Sequence, residues 1–389
     1  LHGSLTEDTY MEIPEGYTKH PEKICKLQKA LYGLKQAPLN WNQRLTDKLK
    51  TRGLKPTKVE PCIYVNESHS IILAFYVDDG IIIGSDRQEV KQLISSIGNK
   101  FEIATYTNPT SFLGIQLIWN KRSVKLKQMA YAKSIIIKYR MEDAKISGIL
   151  MMPNDTRLEN GMSKFPYREC VGSILYLANK TRPDLSYASG YVSRYLDKQS
   201  KQDIVNVKQI LRYIKGTLDL GIVFENTNTR LCENCEKLVC YVDSDYAGDT
   251  ETRRSTTGFV IYYSNGPISW SSKKQPIVAL SSTEAEFIAA AHCVKELMYL
   301  QTLLEELTGN TVRAVINIDN QSTLQIIKNG TGNKRSKHID VRYHYLNEKY
   351  VEGMIELKYC PTDEQIADVF TKPLSRVKFE KFRNKIVKL

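Results

Sequence analysis

The chain has 389 residues, 42% hydrophobic and 25% charged, with a net charge of +12 and a pI near 9.1. The length allows two or three domains, each with its own core, and the composition is that of a globular protein. No apolar run approaches the roughly 18–20 residues that a membrane span needs, which argues against a membrane role, and the positive excess points to a polyanion partner, nucleic acid first. No basic-then-apolar signal segment opens the chain. The eight cysteines are scattered, so they read as reduced thiols in a cytosolic or nuclear setting. The first residue is Leu1, which reads as the interior of a longer translation product or as a processed or partial one.

In chain order, apolar spacing over 24–50 predicts a turn or short helix interrupted by Pro38, then a helix over about 39–52 stopped at Gly53. Short β-type runs follow at 62–66, 71–77 and 80–84. Residues 86–100 predict an amphipathic helix opened by Asp86, 111–127 a hairpin, and 129–142 a helix. The stretch from 143 to 166 is irregular, 167–216 reads as mostly helix, and 219–238 turns polar and loop-like. From 238 onward the order is βββαβαβα, with Asn265-Gly266 as the hairpin turn between the second and third strands and a last helix, DEQIADVFTK, stopped at Pro373.

That last pattern gathers acids. Asp243 and Asp245 lie two apart on a strand and so share a face. Ser281 and Glu284 have the spacing of a capping box, which gives Glu284 a structural task. Glu286 has none, and it sits among Ala285, Phe287 and Ile288, where a charge needs a partner. Asp319 ends the apolar strand RAVINID, and Asp368 lies between Ala367 and Val369 after a Thr362–Gln365 capping pair. Four carboxylates brought together without compensation would repel by several kcal/mol at an effective dielectric near 20. The usual remedy is a hard divalent cation with oxygen ligands. Two such ions about 3.5–4 Å apart can drive phosphodiester cleavage.

The segments YVDSDYAGDTETRRSTTGFVIYYSNGPISWSSKKQPIVALSSTEAEF, NIDNQS, KHIDVRYHY and PTDEQIADVFTKPL resemble the RNase H domain of copia-type retrotransposon polyproteins. The resemblance implies that Asp243, Glu286, Asp319 and Asp368 are catalytic and hold Mg2+ or Mn2+, two ions per site. Asp243 and Asp319 would hold both ions or the main one, Glu286 would orient the attacking water, and Asp368 would complete the second ion site. Many cellular relatives carry a His in the loop before the last acid; here that loop is Cys360-Pro361-Thr362-Asp363-Glu364. Its absence would slow product release without removing metal binding.

Upstream, AFYVDDGIII poses a separate question, since two like charges stand between apolar strands. Asp79-Gly80 alone reads as a two-residue hairpin turn. With LYGLKQAPLNW before it and FLGIQL after it, the stretch resembles the palm of copia-type reverse transcriptase. The resemblance implies that Asp78 and Asp79 are catalytic, metal-holding acids and that Lys35 and Gln36 help position template and nucleotide. A further catalytic Asp of the family would lie before Leu1, so this chain alone is expected to show little or no polymerase activity. Leu39 stands where the family usually has Arg, which would weaken a phosphate contact.

The expected fold class is therefore α+β and α/β. A partial reverse-transcriptase palm (1–145) precedes a mostly helical thumb and connection (146–235) and an RNase H-like domain (236–389). The expected reaction is metal-dependent hydrolysis of the RNA strand of an RNA–DNA hybrid, with RNA-directed DNA synthesis in a longer parent. Partners would be RNA template, DNA, hybrid and, in the parent, dNTPs, with a cytoplasmic particle or the nucleus as the setting. Arg253, Arg254, Lys273 and Lys274, with Lys334-Arg335-Ser336-Lys337, would suit phosphate contacts. The alternatives are a non-catalytic remnant that only binds nucleic acid and, third, a strand-transfer enzyme. Cys232 and Cys235 form a lone CxxC without a matching second pair and read as incidental. His338 and His344 lie six apart and do not share a helix face as a metal pair would.

Overall fold

A computed structural model describes residues 5, 7–14, 16–17, 23–151, 164–225, 237–329 and 337–389. Cys232, Cys235 and residues 334–336 lie outside them, as does the side chain of His338. The chain divides into two units, Leu1–Thr107 with Thr302–Thr311, and Asn108–Gln301 with Val312–Leu389.

In the first unit, β1 (Tyr10–Glu12) pairs antiparallel with β2 (Ile24–Lys26). Helix α1 (Ala37–Lys50) takes in Pro38 because the first turn needs no N–H at that position. β3 (Leu54–Pro56), β4 (Ile63–Asn66), β5 (Ile71–Tyr76) and β6 (Asp79–Gly84) form an antiparallel sheet in chain order. Helix α2 (Arg87–Gly98) is capped by Asp86, whose carboxylate accepts from the Gln88 N–H. Leu45 and Leu49 of α1, with Leu93 and Ile97 of α2, bury against Tyr64, Ile71 and Leu73 of the sheet.

The turn between β5 and β6 differs from the expected Asp79-Gly80. Tyr76 pairs with Asp79 and Phe75 with Gly80, so the loop residues are Val77 and Asp78. Val77 takes φ +57°, a conformation that costs a β-branched residue about 1–3 kcal/mol. Gly80 is required for another reason: a Cβ there would lie 2.6 Å from the Phe75 ring across the strand pair. A shift in the same direction, by one residue instead of two, occurs further on. The hairpin turn is Ser264-Asn265, both at positive φ, and Gly266 opens the next strand, where a Cβ would meet the Phe224 ring at 2.4 Å. Both glycines make room for an aromatic ring, a demand that local turn chemistry does not reveal.

In the second unit, β7 (Ser111–Phe112), β8 (Ile115–Asn120) and β9 (Ser123–Lys127) precede α3 (Met129–Lys138), α4 (Tyr167–Lys180), α5 (Ser186–Ser193) and α6 (Lys201–Gly216). β10 (Ile222–Glu225), in a stretch read as loop, pairs antiparallel with β9 and completes the sheet β10-β9-β8-β7. Its four residues IVFE are too few to outweigh the polar sequence after them. β11 (Lys237–Ser244), β12 (Thr256–Tyr263) and β13 (Gly266–Lys274) follow, then α7 (Ser282–Thr308), β14 (Arg313–Ile318), α8 (Gln321–Asn329), α9 (Lys337–Val351) and β15 (Ile355–Tyr359). They build a mixed sheet in the order β13-β12-β11-β14-β15, with β11, β14 and β15 parallel and the first three strands antiparallel.

The last expected helix is instead a 3₁₀ helix, Ile366–Phe370, followed by α10 (Arg376–Ile386). Val369 and Phe370 of the 3₁₀ helix bury in one core with Ile174, Leu177, Val207, Tyr213 and Phe382. Residues 132–141 share that core too, so α3 packs with the helices after it. No described helix is long and apolar enough to cross a membrane.

Candidate active site

β11 and β14 run parallel, and both deliver an acid at their carboxyl ends. Asp243 is 2% exposed at the end of β11, and Asp319 follows β14 directly. Ser281 accepts from the Glu284 N–H at 3.1 Å, the first half of the expected capping box, while the Glu284 carboxylate accepts from the N–H one residue earlier, Leu280, at 2.8 Å; together they set the start of α7. Glu286 lies just inside that start, buried, with Oε1 accepting from the Ser244 N–H at 3.0 Å. Its Oε2 is buried and has no hydrogen-bond partner. Asp243, Glu286 and Asp319 each offer an oxygen, and the three oxygens lie within 4.8 Å of one another.

Three charges that close repel by about 3 kcal/mol per pair at an effective dielectric near 20. Burial pushes Glu286 well above the usual carboxylate range, and Asp243 and Asp319 push it further, against the Ser244 N–H. An orphaned buried oxygen among three hard donors fits a divalent cation.

Asp368 stands apart from this triad. It is fully buried in the 3₁₀ helix, and the Lys372 ammonium lies 2.7 Å from Oδ1 while Lys378 contacts Oδ2. Lys372 also lies 3.3 Å from Asp243 Oδ2, which accepts from the Thr371 hydroxyl as well. Burial pulls the Lys372 ammonium down, but Asp243 and Asp368 outweigh it and raise it above the usual lysine range. The expected Thr362–Gln365 cap is not formed. Thr362 donates to Asp319 Oδ2 at 3.0 Å, whereas Gln365 accepts from the Ala367 N–H and donates to the Val242 carbonyl at 3.0 Å. Sequence reasoning gave Thr362 and Gln365 only a capping role and missed Thr371, Lys372 and Lys378. The FTK tripeptide after Asp368 was the available signal for two of them.

Gly258 pairs with Asp243 across β11 and β12, and a Cβ there would lie 2.6 Å from Thr371 Cγ2 and 2.7 Å from Phe370 Cβ. Gly258→Ala is expected to cost about 1–3 kcal/mol by overpacking. It should also move Thr371 off Asp243. Urea denaturation reads the first effect, and Mn2+ titration the second.

Asp245 does not join the cluster. Its Oδ1 accepts from the Thr256 N–H. Burial raises its pKa to about 6, with Asp243 adding to the rise and Thr256 and Arg194 opposing it. A carboxyl raised on folding favours the folded state below its unfolded value near 3.9, and that contribution is lost as pH rises through about 6. The loss is up to about 3 kcal/mol before solvent screening at this half-buried group reduces it. Asp245→Asn should flatten that slope, seen as urea midpoints at pH 4.5 and 7 that lie closer together than in the parent.

The other predicted residues are dispersed. Asp78 and Asp79 are exposed at the β5–β6 turn. Trp41 Nε1 donates to the Val77 carbonyl at 2.9 Å and the Tyr32 hydroxyl donates to Asp78, so the LYGLKQAPLNW segment braces this turn. Among the described residues no third acid joins Asp78 and Asp79; the acid group found is that of Asp243, Glu286 and Asp319. Lys35 is exposed and Gln36 half-buried at the start of α1. Arg253 and Lys273 are exposed and Arg254 is half-buried. Lys274 is committed to Asp249 at 3.1 Å, beside Arg194.

A mixed five-stranded sheet in this order, with acids at the ends of its adjoining parallel strands and one on the first crossover helix, defines an RNase H-like domain. Residues 1–153 match the family described as reverse transcriptase (RNA-dependent DNA polymerase). The chain is 37% identical to the retrovirus-related Pol polyprotein from transposon TNT 1-94 of Nicotiana tabacum, over 98% of this chain and 29% of that one. It is 36% identical to the corresponding polyprotein from transposon RE2 of Arabidopsis thaliana, over 99% and 27%. An uncharacterized mitochondrial protein of Arabidopsis thaliana, AtMg00810, is 36% identical over 58% of this chain and 93% of its own length. The chain belongs to the Pol polyprotein family of copia-type retrotransposons, and it spans less than a third of the Pol polyproteins named here. Among solved structures, LC11-RNase H1 from compost covers 38% of this chain and 97% of its own at 15% identity, with a TM-score of 0.28.

Proposed function

We propose that this chain is the reverse transcriptase and RNase H part of a copia-type Pol polyprotein, and that its second unit hydrolyses the RNA strand of RNA–DNA hybrids. The observation that carries this reading is the triad of Asp243, Glu286 and Asp319, three carboxylate oxygens within 4.8 Å at the carboxyl ends of the adjoining central strands β11 and β14. Asp243 and Asp319 would hold a divalent ion, Mg2+ or Mn2+. Such an ion, when bound, would lower the pKa of a coordinated water and stabilise charge developing on the phosphate. Glu286 holds and orients the attacking water through Oε2, since Oε1 is fixed by the Ser244 N–H. Asp368 would complete a second ion site.

The functional division proposed is palm over 1–145, thumb and connection over 146–235 and RNase H over 236–389; the compact units themselves divide at Thr107. Asp78 and Asp79 would be acids of the polymerase site in the polyprotein, with Lys35 and Gln36 toward template and nucleotide. Arg253, Arg254 and Lys273 would contact phosphates, and Lys274 contributes by holding the loop of Asp249. The charge of +12 supports a nucleic-acid partner. The test is cleavage of a labelled RNA annealed to DNA, with Mg2+ or with chelator, beside duplex RNA and duplex DNA. Cleavage of the hybrid alone, lost on chelation, is the expected result. Cleavage of duplex DNA, or metal-independent binding without cleavage, would overturn it.

A further inference from the structure

Lys372 follows the 3₁₀ helix that carries Asp368, and its ammonium touches two buried carboxylates from different elements. Nζ lies 3.3 Å from Asp243 Oδ2 and 2.7 Å from Asp368 Oδ1. The Asp243 and Asp368 side chains are 3% and 0% exposed, while the Lys372 side chain is 38% exposed. Positive charge therefore already stands between the two acids. The other side of Asp243 differs. Among the described residues no ion pair reaches Glu286 or Asp319; Glu286 Oε2 and Asp368 Oδ1 both lack a hydrogen-bond partner, but only Asp368 Oδ1 has an ammonium beside it.

We propose that Lys372 is a tethered cation that occupies the gap between Asp243 and Asp368, so that a second divalent ion binds there only by displacing it. The proposal rests on the nuclease reading above. In the free protein one ion binds among Asp243, Glu286 and Asp319, and the ammonium neutralises the remaining pair. The lysine stem is flexible and partly exposed, so the ammonium can leave for solvent or for a phosphate of bound nucleic acid. Occupancy of the second position is thereby linked to the presence of substrate. Lys372 is a positioning residue in this account.

The test is binding of Mn2+ to the full chain, followed by electron paramagnetic resonance and calorimetry. The parent should bind one ion, with a second at least about tenfold weaker. Lys372→Gln should tighten the second ion about tenfold or more, which is about 1.4 kcal/mol. Lys372→Arg, which keeps the charge, should retain the parent's behaviour, and Lys378→Gln, whose ammonium contacts Asp368 but not Asp243, should change it less. Lys372→Gln leaves two buried carboxylates without their shared cation, so the metal-free variant is expected to be less stable. Melting temperatures with and without Mn2+ read the same effect independently: the metal should raise the variant's by more than the parent's. Equal isotherms and equal metal-induced shifts in parent and Lys372→Gln, with Asp319→Asn still weakening the first ion, would overturn the role of Lys372 alone. Mn2+ binding indifferent to Asp319→Asn would overturn the nuclease reading and this proposal together.

Discussion

Asp319→Asn should lower magnesium-dependent cleavage of the RNA strand in a hybrid by about a thousandfold while leaving the fold intact. The magnitude follows from the role assigned to the carboxylate. Losing a ligand that supports charge in the transition state removes about 4 kcal/mol, and each 1.36 kcal/mol is tenfold in rate. Asp319 is the informative acid because its surroundings tolerate the change. It is half-exposed, and its one described side-chain bond is the Thr362 hydroxyl at 3.0 Å, which an Asn carbonyl oxygen accepts equally well. Asp243, in contrast, is tied to Thr371 and Lys372, so its replacement disturbs a network as well as a ligand. Single-turnover rates on a labelled hybrid measure the effect, and a circular dichroism melt checks folding. A variant that cleaves at the parent rate would remove Asp319 from the catalytic set.

Arg182→Met should lower the stability of the second unit by about 3–5 kcal/mol, the cost of stripping the partner from a buried charge. Arg182 is 2% exposed and Asp184 fully buried. The guanidinium grips Asp184 with Nε at 2.9 Å and Nη2 at 2.7 Å, and its Nη1 reaches the Thr217 carbonyl at 3.0 Å. Without it, Asp184 keeps among described side chains the Tyr213 hydroxyl at 2.8 Å, one neutral donor for a whole charge. The double variant Arg182→Met with Asp184→Leu should recover much of the loss, because no buried charge is then left alone. Urea midpoints of the parent and the variants decide it. Equal losses in the single and double variants would mean that packing, not charge, dominates.

Most elements of both units were legible as sequence because their signals are local. Asp86 caps its helix, Ser281 and Glu284 set the start of α7, and apolar spacing marks α1, α2 and α4. The two hairpin turns were misplaced by one or two residues because Gly80 and Gly266 looked like turn residues. Their absent side chains instead accommodate Phe75 and Phe224, and no local rule reports a ring arriving from another strand. β10 was hidden because four residues gain their strand character from pairing with β9.

For the candidate site, sequence alone singled out four acids as candidates: Asp243 and Asp319 by their place at strand ends, Glu286 and Asp368 as charges among apolar neighbours. Tertiary structure decided how the set divides. Parallel pairing of β11 with β14, and the capped start of α7, bring three of the acids to within reach of one cation. The fourth is carried on a 3₁₀ helix anchored in the helical core, where Lys372 and Lys378 meet it. Charge identity is written in the chain residue by residue, but which charges face one another depends on contacts between segments more than a hundred residues apart, such as Asp243 with Lys372.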